Sequence, residues 1–137
     1  MIVRGDFTFT ADRSVIDLDA AYDLLAGTHW AGTLSRDVLE RAAANSLCFG
    51  VLHGEHLVGF ARVITDLATY AYLTDVVVDP GFRGQGVGEW FMASILQAPG
   101  LQGLRRITLL TRDAESLYRR LGFEPGAAPL VYMERRS

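Results

Sequence analysis

The chain has 137 residues, half of them hydrophobic and 21% charged, the balance of one globular domain, 1–137, with a sizeable core. A formal net charge of −3 argues against a nucleic-acid surface, and no apolar run reaches the 18 residues that a spanning helix requires. MIVRGDFTFT carries no signal-peptide pattern, so the expected location is the cytoplasm, with no membrane partner. The thirteen basic residues are all arginine, which closes off Schiff-base lysine chemistry. The single cysteine, Cys48, has no partner for an intrachain disulfide and reads as a buried strand residue.

In chain order, Val3 to Thr10 predicts a first strand, and Ser14 to Ala26 a helix with Ile16, Ala20 and Leu24 spaced at fours. Gly27 ends that helix, and a short connection containing His29 and Trp30 follows. Ser35 is placed to cap a second helix through Ala44. Leu47–His53 and His56–Thr65 predict strands joined by a tight turn at Gly54-Glu55, and Tyr70–Val78 a third strand after a turn at residues 66–69. A helix opening near Gln85 or Gly86 runs to about Gln97, where Pro99-Gly100 stops it. Leu104–Leu110 then predicts a strand, Ala114–Leu121 a helix and Leu130–Glu134 a final strand. Hairpins early and crossovers late imply an α/β fold, with helices on both faces of a mixed sheet. A right-handed crossover makes Leu104–Leu110 the parallel partner of Tyr70–Val78.

The most informative stretch is Tyr72 to Trp90, YLTDVVVDPGFRGQGVGEW. A β-branched strand meets the breaker Asp79-Pro80-Gly81, then glycines at 84, 86 and 88, then an apolar helix-like run. Bare backbone next to a helix start, with its unpaired N–H groups and positive dipole end, makes a cradle for an anion such as phosphate. A P-loop would require lysine, which the chain lacks, and the dinucleotide fingerprint would require glycine where Glu89 stands. The arrangement Arg83-x-x-Gly86-x-Gly88 instead resembles the coenzyme A pyrophosphate loop of the GNAT family of N-acetyltransferases. A second stretch, Thr111 to Phe123 (TRDAESLYRRLGF), resembles that family's later motif, in the right order and at the right spacing. The likeness covers roughly residues 47–123.

The resemblance implies a GNAT-like acyltransferase fold with a central mixed sheet of about six to seven strands. It implies that acetyl-CoA is the co-substrate, that no metal takes part, and that a primary amine attacks the thioester directly through a tetrahedral intermediate. Carried over by position, Val76 and Val78 would offer main-chain groups to the pantetheine arm. Arg83, Gly84, Gly86, Val87 and Gly88 would hold the pyrophosphate, with Thr111 and Ala114 as further cofactor contacts. Tyr118 matches the tyrosine that protonates the leaving thiolate; a phenol keeps its proton at neutral pH. His29 and Trp30 fall in the connection that lines the acceptor cleft in this family. A small-molecule amine is the expected acceptor, and a homodimer is common in the family.

The general base is open. Many members carry Glu immediately before the strand Asp, where this chain has Thr74 followed by Asp75. Strand alternation would point the two to opposite faces, so one of them looks into the cleft. Asp75 reads either as that base or as the ion-pair partner of Arg62, diagonally across the neighbouring strand. His53-x-x-His56 has no third ligand spaced nearby for a metal. Arg105-Arg106 and Arg119-Arg120 are basic pairs that read as solvated faces, either of which could serve the cofactor's 3′-phosphate. The competing class is a non-catalytic acyl-CoA-binding or regulatory module, which would lack the acid that Tyr118 provides.

Overall fold

A computed structural model describes residues 1–28, 34–126 and 129–137. Six strands form one sheet in the order β1-β2-β3-β4-β5-β6, antiparallel except for the last pair. Three of the strands, β3 (Leu47–His53), β4 (His56–Thr65) and β5 (Tyr70–Val78), lie where the sequence places them. The expected first strand is instead a hairpin, β1 (Ile2–Arg4) and β2 (Phe7–Thr10). Gly5, at φ +58, supplies the left-handed turn residue that reverses the chain.

The expected long first helix is shorter. Arg13–Val15 is a single 3₁₀ turn, and α1 (Leu18–Ala26) starts only at Asp17, whose carboxylate accepts from the N–H groups of Asp19 and Ala20. That cap outcompetes continuation through Ile16, because Asp satisfies two orphan donors at once. Ser35 caps α2 (Arg36–Ala44) by accepting from Val38 N at 3.2 Å. The turn from β4 to β5 is held by Asp66, which accepts from the N–H groups of Ala68, Thr69 and Tyr70. The Thr69 hydroxyl also donates to Asp66, and this bond first, then the backbone ones, hold its carboxyl far below the usual carboxylate range.

Two apolar clusters flank the sheet. On one face α3 (Val87–Leu96) and α4 (Glu115–Arg120) bring Phe91, Ile95 and Tyr118 onto Phe49 and Val63. On the other, α1 and α2 bring Leu25 and Leu39 onto Phe60 and Val77. β6 (Arg106–Leu109) is shorter than expected and pairs in parallel with β5 only from Tyr70↔Arg106 to Leu73↔Leu109. The expected final strand over Leu130–Glu134 does not form, and Leu130, Val131, Tyr132 and Met133 are exposed beyond β6. Its β-rich composition describes a residue that packs well in a sheet, and propensity without a docked face makes no strand.

A bulge in β5 controls the site. Phe60 pairs with Val77 and Arg62 with Thr74, so two residues of β5, Asp75 and Val76, stand opposite Ala61 alone. Asp75 sits at φ +52 and the strand changes faces there: Ala71 and Leu73 pack towards α3, whereas Val77 packs towards α1. The expectation that Thr74 and Asp75 point to opposite faces is therefore overturned. Arg62 is the cross-strand partner of Thr74, and its Nε donates to Asp75 Oδ2 at 2.8 Å, placing both residues on the α1–α2 face. Only 13% and 12% of the Arg62 and Asp75 side chains are exposed, so each charge depends on the other. Arg62 also donates to Ser46 Oγ at 3.4 Å.

Asparagine tolerates the left-handed region nearly as well as aspartate, so Asp75→Asn tests the charge pair without adding backbone strain. The expected loss is roughly 3 kcal/mol of unfolding free energy, the low end for a buried pair because asparagine still accepts a hydrogen bond. Arg62→Met should cost a similar amount, and the double variant clearly less than the sum, by urea denaturation at neutral pH. Additive costs would show that the pair does not stabilise the bulge.

Candidate active site

The site begins where β5 outruns its neighbour. β6 ends at Leu109, the partner of Leu73, while β5 continues to Val78. Asp79 donates its N–H to Val58 O on β4 at 2.7 Å. By strand alternation the main-chain groups of Val78 and Val76 then face the opposite edge, towards the gap beyond β6. This places the two predicted pantetheine contacts on one open edge.

Directly after that edge the chain turns sharply. Asp79 Oδ1 accepts from Gly81 N at 2.9 Å, and Pro80–Phe82 makes one 3₁₀ turn. Phe82 packs its ring 5.7 Å from Phe7 and 4.9 Å from His53, which anchors the turn to β2 and β3. His53 is thus part of an aromatic cluster. Gly84 (φ +81) and Gly86 (φ +75) then take left-handed conformations that a β-branched side chain would strain. Gly86 is the N-cap of α3 with no side chain to serve the first-turn N–H groups, and Trp90 is the residue that bonds back to Gly86 O, at 3.1 Å. The donors of Val87, Gly88 and Glu89 precede that first helical bond. A Cβ built at Gly84 or Gly88 would meet nothing within 4 Å, so the space above both is open. Val87 contributes differently: its side chain is buried and pins the helix start to the core. Arg83 is exposed at the rim of this loop.

An acid in the first turn, Glu89, would oppose an anion here, but it accepts from Arg120 Nε at 2.8 Å, which offsets its charge and ties α4 to α3. Thr111 and Ala114 act together: Thr111 Oγ1 accepts from Ala114 N at 3.0 Å and fixes the entry to α4. Tyr118 sits on α4 with its ring 5.7 Å from Phe123 and its hydroxyl 4.0 Å from the sulfur of Met92. Burial raises its pKa above the ordinary phenol value and keeps it protonated. Gly122, at φ +96, ends the helix and returns Phe123 to that ring. His29 and Trp30 lie outside the described residues.

Tyr118 and Thr111 share a cavity of about 930 Å³ that runs along β6, also lined by Tyr70, Tyr72 and Tyr132. Tyr70 and Thr108 bond hydroxyl to hydroxyl across the parallel pair. The pKa of Tyr72 is raised by burial first and by nearby Tyr132 second. Tyr70 and Tyr132 lie outside both motif stretches and so escaped the sequence reading; Tyr70 meets Thr108 through the parallel pairing, and Tyr132 comes from the segment after α4, outside the sheet. Arg4 also escaped it: on β1, its guanidinium lies 3.1 Å from where a Cβ on Gly86 would stand. The Gly5-Asp6 pair inside the expected first strand was the available signal for the hairpin that brings it there.

A parallel strand pair parting beside a glycine-lined, uncapped helix start is an arrangement consistent with an acyltransferase. The profile of the acetyltransferase (GNAT) domain matches residues 44–125, and the chain belongs to the GNAT family of acetyltransferases. A Gibberella zeae protein, FG08082, named for a proposed acetyltransferase activity, is 35% identical over 84% of this chain and 77% of its own length. The histone acetyltransferase TAP1 of Glycine max is 33% identical over 79% of this chain, which spans about half (53%) of that protein. The crystal structure of a Xanthomonas campestris pv. campestris protein assigned to the GNAT family is similar at a TM-score of 0.89 and 42% identity. That likeness covers 96% of this chain and 93% of the other.

The raised pKa of Tyr118 has a consequence for stability. The unfolded chain releases this proton first, so the contribution is intact below about pH 10 and is lost as the pH rises through the folded value. Denaturation midpoints of the wild type should fall on that alkaline limb, and Tyr118→Phe should flatten it; an identical slope in both would place the phenol in solvent.

Proposed function

We propose that the protein transfers the acetyl group of acetyl-CoA to a primary amine, with a small molecule as the acceptor, in the cytoplasm. The observation that carries the reading is the open β5 edge at Val76 and Val78 leading straight to the uncapped start of α3. The residues present fit the cofactor: the space that side chains at Gly84 and Gly88 would fill is empty, and N–H donors of α3 have no capping side chain. Val76 and Val78 hold the pantetheine amides by main-chain bonds. Arg83, Gly84, Gly86, Val87 and Gly88 hold the pyrophosphate, while Thr111 and Ala114 set the wall opposite. When bound, acetyl-CoA supplies the thioester from which the acyl group is transferred.

Tyr118 supplies the proton that the departing sulfur requires. Its phenol is protonated at neutral pH, and a proton at that atom is wanted most as negative charge develops on sulfur. Its only hydrogen-bond partner among the described residues is the weakly accepting Met92 sulfur, which leaves the hydroxyl available to a better acceptor. Asp75 is the carboxylate assigned to receive the amine's proton, and the bond from Arg62 sets where that carboxylate sits. The acidic balance of the chain favours a cationic acceptor at the encounter stage.

Gly88 has ordinary helical geometry and open space, so Gly88→Val adds bulk without the strain that Gly86→Val would impose. Calorimetric titration with coenzyme A should show binding by the wild type and none by Gly88→Val, at nearly equal thermal stability. Undiminished affinity would remove the cradle.

Tyr118→Phe leaves the ring packing in place and deletes the acid. With an acceptor found by thiol-release screening of an amine panel, kcat should fall about 10²–10⁴-fold while acetyl-CoA affinity stays near wild type. Unchanged kcat would take Tyr118 out of the chemistry. Acetyl-CoA binding without turnover on any amine would point to a binding module instead.

A further inference from the structure

We propose that Arg4 is a direct ligand of the coenzyme A pyrophosphate, an assignment that rests on the cofactor reading above. The hairpin β1–β2 turns at Gly5 and sets Arg4 opposite Phe7. Phe7 in turn packs on His53 at 5.1 Å and on Phe82 of the glycine loop at 5.7 Å. This aromatic cluster therefore fixes the end of β1 to the loop, and Arg4 is held over Gly86 as a consequence. Its Nη2 and Nη1 lie 3.1 and 3.3 Å from the position of a Cβ on Gly86, the residue that caps α3.

Two positive poles thus face one space. The uncapped N-terminus of α3 presents its donors and the positive end of its dipole. The Arg4 guanidinium adds a full charge beside it, and none of the ion pairs formed among the described residues includes it. The nearest candidate anion on α3, Glu89, is already engaged by Arg120. Like-signed groups held together in this way repel unless an anion lies between them, and a diphosphate matches the bidentate fork of a guanidinium. Arg83 sits after the 3₁₀ turn on the same loop, so the pyrophosphate would be held by arginines from two parts of the chain, one local and one brought by β1.

Isothermal titration with coenzyme A and with dephospho-coenzyme A, which lacks only the 3′-phosphate, tests the assignment in wild type, Arg4→Gln, Arg4→Lys and Gly88→Val. Arg4 is exposed, so Arg4→Gln should keep the wild-type melting temperature. It should weaken both ligands by the same factor, about ten- to a hundredfold, as expected for loss of a charge-assisted contact. Arg4→Lys keeps the charge but not the fork and should fall in between. Wild-type affinity in Arg4→Gln, alongside lost affinity in Gly88→Val, would overturn the Arg4 assignment and leave the cradle standing. A loss confined to coenzyme A would also overturn it, by moving Arg4 to the 3′-phosphate. No binding of either ligand by the wild type would remove the cofactor reading and this proposal together.

Discussion

Hydrogen bonding along the two edges of β5 is the constraint on which the rest of this structure depends. One edge is satisfied by β4 along nearly its whole length, the other by β6 for only four residues. A buried strand cannot leave main-chain donors and acceptors empty without cost, so an edge that opens inside the fold must be served by solvent or ligand. β5 opens at the bulge formed by Asp75 and Val76. The extra residue changes which face each later side chain meets, so Val77 joins the α1–α2 core. A positive φ at a non-glycine residue is unfavourable on its own, and the buried bond from Arg62 to Asp75 holds it in place.

The same strand delivers the chain to the glycine loop, and here two kinds of residue divide the work. Val87 and Phe82 are anchors: one is buried in the core, the other is packed between Phe7 and His53. Gly84, Gly86 and Gly88 supply shape by lacking side chains, two through left-handed dihedrals and one through open space. Fixing a loop at both ends by apolar contacts reduces the ordering that a ligand must impose when it binds. Glu89 and Arg120 show the electrostatic side of the same economy, since their pairing removes a negative charge from a helix start that is otherwise positive.

Membership of an acetyltransferase family follows from the pattern over 44–125, but the parts outside that span give this chain its particular site. The β1–β2 hairpin lies before the matched residues and places Arg4 at the loop. The C-terminal segment lies after them and places Tyr132 beside Tyr72 and the cavity. Neither feature has a motif, because each depends on which surface the segment docks against.

Local chemistry determined much from sequence alone. Breakers and caps located β3, β4, β5 and the start of α2 within a residue, because Gly54-Glu55 and Ser35 act on their own neighbours. The glycine spacing announced the bare, uncapped start of α3 for the same reason: missing side chains and helix-end donors are local facts. Contacts between distant segments decided the rest. Thr74 and Asp75 share a face because β5 pairs with β4 through a bulge, and strand alternation alone predicts the opposite. Leu130–Met133 has strand-like composition but does not pair with the open edge of β6, so it stays outside the sheet. The gap between β5 and β6 exists because their pairing stops at Leu73↔Leu109 while β5 runs on to Val78, and pairing between segments this far apart in the chain is settled only in the folded sheet.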